Sequence, residues 1–110
     1  MTKPAKIRVL IVDDHPVVRI GLRLIEDLDK SIQVVGEAAT GKQGLEEARR
    51  LRPDVVLLDY RLPDVGGHEI CRQLKADLPN VRVLFLSSYA ADATAKAALT
   101  AGADGYLLKE

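Results

Sequence analysis

Short runs of apolar residues alternate along this chain with longer segments in which apolar residues recur every three or four positions. The short runs have the length of strands, are mostly rich in Val, Ile and Leu, and cover residues 7–13, 33–38, 55–59, 82–87 and 105–108. The longer segments predict one helix from Pro16 to about residue 28 and others over residues 41–51, 67–78 and 91–101. The chain therefore predicts the element order βαβαβαβαβ.

The apolar runs are nearly continuous rather than alternating, which is typical of parallel strands covered on both faces by helices. We therefore expect an α/β fold in which helices flank a parallel sheet on both sides. In the first helix we expect five apolar residues to face the sheet, namely Val17, Ile20, Leu24, Ile25 and Leu28.

Composition narrows the class of protein. A chain of 110 residues has room for one domain, and its single cysteine, Cys71, excludes an internal disulfide. Sixteen basic residues balance sixteen acidic ones, which argues against direct binding to nucleic acid or to an anionic membrane. No apolar run approaches the roughly 20 residues of a membrane span. We expect a cytoplasmic protein.

Polar side chains close most of the apolar runs. The first strand ends in Asp13 and Asp14, the third in Asp59, the fourth in Ser87, and Lys109 follows the fifth. Ligands of open parallel sheets bind beyond the carboxyl ends of the strands, where neighbouring crossovers diverge. If strands one, three, four and five are adjacent, the strand order is 2-1-3-4-5 and these five side chains meet at one edge of the sheet.

Three carboxylates held close together repel one another, and either protons or a cation must relieve the repulsion. Oxygen ligands favour Mg²⁺ or Mn²⁺ over Zn²⁺, and Mg²⁺ usually takes one or two carboxylates and leaves a third free. A free carboxylate can attack phosphorus and form an acyl phosphate. The hydroxyl of Ser87 and the ammonium of Lys109 suit the phosphoryl oxygens.

Three stretches of the chain resemble the receiver domain of two-component response regulators. They are Val-Leu-Ile-Val-Asp-Asp-His-Pro at residues 9–16, Pro-Asp-Val-Val-Leu-Leu-Asp at 53–59, and Ala-Gly-Ala-Asp-Gly-Tyr-Leu-Leu-Lys at 101–109. The first and last stretches are most similar to the LuxR-type (NarL/FixJ) class. The resemblance covers nearly the whole chain and implies a flavodoxin-like fold.

The resemblance also implies a role for each strand-end residue. Asp59 would be the phosphoacceptor, and Mg²⁺ would be held by Asp14 directly, by Asp13 largely through water, and by the backbone carbonyl of Arg61. Ser87 and Lys109 would bind the phosphoryl group. Tyr106 would be the aromatic residue that turns inward on phosphorylation.

The resemblance further implies partners and a domain arrangement. The phosphoryl donor would be a sensor histidine kinase, phosphorylation could produce a homodimer, and DNA would be bound only through a domain outside residues 1–110. The chain would be a switch that modifies only itself rather than a turnover enzyme. The family's fifth helix has no counterpart in these 110 residues. We therefore expect apolar surface around Val9, Ile11, Leu84 or Leu107.

Other interpretations compete with this one. A stand-alone receiver would act through protein contacts, and a pseudo-receiver would have the fold without the chemistry. A phosphohydrolase of the haloacid dehalogenase type also uses strand-end aspartates, but the Asp-x-Asp motif with which such enzymes open does not follow the first strand, where Asp13 and Asp14 are adjacent. Taken singly, Asp14 could cap a helix, and we expect His15, at the start of that helix, to be solvated and outside the site.

Overall fold

The computed structural model describes residues 5–87 and 102–108. In these residues the elements are, in chain order, β1 (Ile7–Val12), α1 (Pro16–Arg23), α2 (Ile25–Leu28), β2 (Ile32–Ala38), α3 (Gly41–Leu51), β3 (Val55–Asp59), α4 (Gly67–Asp77), β4 (Arg82–Ser87) and β5 (Gly105–Leu108). The strand bounds agree with the sequence prediction to within one residue. The helix expected over residues 91–101 and Lys109 lie outside the described residues.

The strands form one sheet in the order β2-β1-β3-β4-β5, and all four pairs are parallel. The prediction of a doubly wound sheet with this order is confirmed. The strand register sets the layout of the site, because Val12 pairs with Leu58 and Asp59 pairs with Leu86. The ends of β1, β3 and β4 therefore lie side by side.

Buried side chains cover both faces of the sheet, as near-continuous apolar strands require. One face carries Leu10, Val12, Leu58 and Phe85, which form a core with residues of α3 and α4 such as Leu45. The other face carries a smaller cluster that includes Val9, Ile11, Val34, Leu57 and Leu86, with Leu22 packed against it. The larger core thus lies between the sheet and the helices α3 and α4.

The first helix differs from its prediction. It ends at Arg23, and the N–H of Leu24 bonds to the carbonyl of Gly21, three residues earlier, before α2 begins. Of the five residues expected to face the sheet, only Ile25 contacts the apolar side chains on this face of the sheet. The others are 55–87% exposed.

That prediction was wrong because the segment carries two apolar stripes. The second stripe contains Leu22 and Ile25, three residues apart, and this stripe lies against the sheet. Ile25 belongs to both stripes, and helical periodicity alone predicts the longer stripe rather than the one that contacts the sheet.

An apolar groove of about 330 Å³ runs along the same sheet face. Val9, Leu84 and Leu107 line it, as expected for this face, whereas Ile11 is fully buried. Leu107 and Ile7, at its margins, are 49% and 44% exposed. By the family resemblance, this is the sheet face that a fifth helix would cover in a receiver domain.

Helix α4 begins in direct backbone contact with the end of β3. The N–H of Gly67 donates to the carbonyl of Tyr60 over 2.9 Å. A Cβ atom at Gly67 would lie 2.6 Å from the carbonyl oxygen of Asp59 and 2.7 Å from that of Tyr60. Only glycine allows this approach, because backbone atoms cannot move aside as a flexible side chain can.

We predict that Gly67→Ala lowers the free energy of unfolding by about 1–3 kcal/mol through overpacking. Gly21→Ala is the matched control, because its Cβ atom would meet nothing within 4 Å on an exposed helix. That change should raise stability by up to about 1 kcal/mol. Urea unfolding of both variants measures the two effects, and equal effects would contradict the tight contact at Gly67.

Candidate functional site

The ends of β1 and β3 bring three carboxylates together. Because Val12 pairs with Leu58, the residues that follow them, Asp13 and Asp59, are neighbours across the sheet. Asp13 is fully buried and Asp59 is 3% exposed, whereas the side chain of Asp14 is 35% exposed. Together with His15, these residues offer ligand atoms that all lie within 4.8 Å of one another.

The turn after β1 is held by several hydrogen bonds. The N–H of Asp13 donates to the carbonyl of Ala38 over 3.0 Å, and the guanidinium of Arg19 donates to the carbonyl of Asp13 over 2.6 Å. The N–H of His15 donates to Asp13 Oδ1 over 2.9 Å. His15 occupies the N-cap position of helix α1, and no side chain accepts a capping hydrogen bond from the first turn of this helix. Asp14 is therefore not a helix cap.

His15 lies closer to the site than the sequence indicated. Its Nδ1 is 2.7 Å from Asp13 Oδ1, 3.1 Å from Asp14 Oδ1 and 3.8 Å from Asp59 Oδ2. The ring is 57% exposed, so part of it is solvated, but the expectation that it lies outside the site was wrong. The hydrogen bond from its own N–H to Asp13 closes a tight turn that brings the ring back over the carboxylates.

The loop after Asp59 is tied at several points. The N–H of Arg61 donates to Asp59 Oδ1 over 3.3 Å, and Arg61 pairs with Gly66 in an isolated antiparallel bridge. Asp64 accepts hydrogen bonds from the N–H groups of Gly41 and Lys42, over 2.8 and 3.0 Å, and so caps α3 from outside the helix. The loop that carries the backbone of Arg61 is thereby fixed against a neighbouring helix.

The remaining predicted residues lie on β4, on β5 or just beyond them. Ser87 is 2% exposed at the end of β4, the strand next to β3. Tyr106 pairs with Phe85 across the sheet and packs against the larger core. Lys109 lies outside the described residues but directly follows Leu108, which pairs with Ser87.

The arrangement fits a divalent cation with oxygen ligands. Each of the three carboxylates has one oxygen shielded from solvent, namely Asp13 Oδ2, Asp14 Oδ1 and Asp59 Oδ2. Three negative groups at such distances repel one another, and a cation relieves the repulsion best at neutral pH. Carboxylate oxygens are the ligands that Mg²⁺ and Mn²⁺ prefer.

A 2-1-3-4-5 parallel sheet with acidic side chains at the carboxyl ends of β1 and β3 defines a flavodoxin-like α/β domain with its site at the topological switch point. The model of the response regulator receiver domain family matches residues 9–110. The chain therefore belongs to the receiver domains of two-component response regulators, as the sequence resemblance indicated.

Individual relatives agree with this assignment. The response regulator protein VraR of Staphylococcus aureus is 45% identical over 103 residues, which are 94% of this chain and 49% of that protein. The receiver domain of the response regulator NarL from Mycobacterium tuberculosis is 42% identical, with a TM-score of 0.91 over 97% of this chain and 86% of that one. A LuxR-family response regulator from Aurantimonas sp. is 35% identical, with a TM-score of 0.90 over 96% and 76%. The chain spans about half the length of its curated relative.

The carboxyl group of Asp64 gives a pH-dependent test of the loop. Desolvation raises the pKa of this carboxyl, but hydrogen bonds from the N–H groups of Lys42, Gly41, Asp64 and Val65 together lower it more. The folded state therefore has the lower pKa, and the contribution to stability is complete above the unfolded pKa of about 3.9. This contribution disappears as the pH falls through the folded pKa.

We predict that Asp64→Ala lowers the free energy of unfolding by about 0.5–2 kcal/mol at pH 7. The difference from the wild type should shrink as the pH falls from about 5 to below 4. Thr40→Ala is the control, since the Thr40 hydroxyl caps the same helix through the N–H of Gln43 without carrying a charge. The loss of unfolding free energy in Thr40→Ala should not depend on pH. If the losses in the two variants changed with pH in the same way, the charge of Asp64 would not stabilise the loop.

Proposed function

We propose that Asp59 accepts a phosphoryl group from the phosphohistidine of a sensor histidine kinase, and that the domain passes its phosphorylation state to a partner surface. The observation that carries the proposal is the convergence of three carboxylates at the ends of β1 and β3, with Asp59 on the strand between β1 and β4. Membership of the receiver family supports the same assignment.

Asp59 is the best placed of the three carboxylates to act as the nucleophile. Asp13 Oδ1 already accepts from the backbone and contacts the ring of His15, whereas Asp14 is on the open side of the turn. Asp59 ends β3, the strand between β1, which is followed by the other two carboxylates, and β4, which ends in the buried Ser87. One of its oxygens would form a bond to phosphorus while the P–N bond of the phosphohistidine breaks, and the imidazole would leave with the electron pair.

Asp13, Asp14, Asp59 and the carbonyl of Arg61 would hold the cation, which we propose to be Mg²⁺ or Mn²⁺. When bound, this ion supplies positive charge where negative charge develops on the phosphoryl oxygens. The chain's own part is to keep the carboxylates in place through the β1–β3 register and the hydrogen-bonded turns. Self-phosphorylation, from the phosphohistidine or from a small donor, and self-dephosphorylation would be the only reactions.

Three residues would respond to phosphorylation by changing their contacts, namely Ser87, Lys109 and Tyr106. The Ser87 hydroxyl and the Lys109 ammonium can bind phosphoryl oxygens, and contacts that exist in only one state shift a two-state equilibrium. Tyr106, partly buried against the core on β5, would fill the space that Ser87 leaves. The relay would thus run through the output face formed by the helix predicted over residues 91–101, the fourth of the sequence prediction, and by β5.

We further propose that the domain, residues 1–110, is the N-terminal part of a cytoplasmic transcription regulator. The similarity to VraR and to a LuxR-family regulator supports a DNA-binding output domain, and phosphorylation would promote a homodimer. No helix in the described part of the chain is long and apolar enough to cross a bilayer. A stand-alone receiver acting through protein contacts is the second candidate, and the coding sequence after Glu110 distinguishes the two.

We predict that acetyl phosphate with Mg²⁺ adds one phosphoryl group to the wild type and none to Asp59→Asn, as measured by intact mass. Asp54→Asn is the matched control, because Asp54 lies just before the opposite end of β3, where it accepts from the N–H of Arg8 over 2.8 Å. This control should be phosphorylated as the wild type is. Equal phosphorylation of Asp59→Asn and the wild type would show that another residue is the acceptor.

We predict that Mg²⁺ at 100 times its dissociation constant raises the free energy of unfolding by about 2.7 kcal/mol through mass action. Asp14→Ala should lose most of this response, because it removes a ligand. Asp77→Ala is the control, since Asp77 is a surface carboxylate at the end of α4 that pairs with Arg49. An unchanged Mg²⁺ response in Asp14→Ala would remove this residue from the cation site.

A further inference from the structure

We infer that His15 is a nitrogen ligand of the cation site and makes the site bind first-row transition metal ions of the Zn²⁺ class more tightly than an all-oxygen site would. The inference rests on the proposed cation site at Asp13, Asp14 and Asp59. It concerns which ions that site binds most tightly, which neither the family resemblance nor the oxygen ligands determine.

The distances around His15 Nδ1 are those of ligands that share one ion. With metal–ligand bonds of about 2.1 Å, adjacent ligands lie about 3.0 Å apart and opposite ligands about 4.2 Å apart. Nδ1 is 2.7 Å from Asp13 Oδ1, 3.1 Å from Asp14 Oδ1 and 3.8 Å from Asp59 Oδ2. A cation bound by these carboxylates would therefore have the imidazole nitrogen within ligand distance after small side-chain rotations.

The position of the ring is fixed by the backbone. The N–H of His15 donates to Asp13 Oδ1, and Pro16 begins α1 immediately afterwards. The side chain of His15 therefore starts from a backbone position next to the carboxylates. An imidazole held in this way needs little further ordering to bind a metal.

Imidazole nitrogen distinguishes between ions that carboxylates bind in similar ways. It is a common ligand for Zn²⁺, Cu²⁺ and Ni²⁺, whereas Mg²⁺ prefers oxygen and keeps several waters. Loss of the imidazole should therefore weaken binding of Zn²⁺ and leave binding of Mg²⁺ nearly unchanged.

His68 is a matched control for His15, and the chain has few other residues that would compete for Zn²⁺. It has two histidines and one cysteine. His68 is exposed near the start of α4, next to the ring of Tyr60 and outside the acidic group. Cys71 is fully buried, and burial raises the pKa of its thiol to about 11, so it is a poor competitor for metal at neutral pH.

The test is calorimetric titration of Zn²⁺ and of Mg²⁺ into the wild type, His15→Asn and His68→Asn, all without a histidine tag. Circular dichroism checks that each variant is folded. We expect His15→Asn to weaken Zn²⁺ binding by about 10-fold or more, judged from the effect of losing metal-site residues, and His68→Asn to change neither ion's affinity. In long-range ¹H–¹⁵N spectra, Zn²⁺ should shift Nδ1 of His15 and leave His68 unchanged.

Unchanged Zn²⁺ affinity in His15→Asn would overturn the inference. So would an increase in Mg²⁺ affinity without loss of Zn²⁺ affinity, because the ring would then obstruct the site. In both cases the wild type still binds Mg²⁺ and the proposed function stands. If neither ion binds the wild type, the proposed cation site fails together with the inference.

Discussion

The parallel register of β1 and β3 places like charges at the end of two neighbouring buried strands, and the site depends on this constraint. Val12 pairs with Leu58 within the core, and the next residue along each strand is an aspartate. The pairing therefore brings Asp13 and Asp59 together. The apolar contacts of the strands stabilise the sheet, while the carboxylates at their ends repel one another. The fold thereby holds a site that favours a cation before any ligand arrives.

The structure around this site limits how far the carboxylates can move apart. Gly67 brings the start of α4 against the backbone of Asp59, and Asp64 ties the intervening loop to α3. On the other side, Arg19 holds the carbonyl of Asp13 at the turn into α1. The carboxylates therefore have little room to move apart, which favours relief of their repulsion by a bound cation.

The strands could be predicted because near-continuous apolar runs have few alternatives to a sheet covered on both faces. Their order does not follow from these runs, and it was predicted with the help of the resemblance to receiver domains. The three aspartates followed from the same pattern, since strand ends meet at one edge. The inward face of the first helix could not be predicted, because helical periodicity favours the longer apolar stripe, whereas Leu22 and Ile25 are the residues that contact the sheet. Asp64 was missed because its partners are 22 and 23 residues away. His15 was misplaced because a turn, which periodicity does not describe, sets its direction.

The fold forces the carboxylates together, and a double-mutant cycle with Asp14→Asn and Asp59→Asn tests this most directly. The measured quantity is the free energy of unfolding in urea, in the presence of a chelator. Each single change should raise this free energy, and the double change should raise it by less than the sum, because either change already relieves the shared repulsion. If both single variants are less stable than the wild type and their effects add, the carboxylates do not repel one another in the folded protein and the account is wrong.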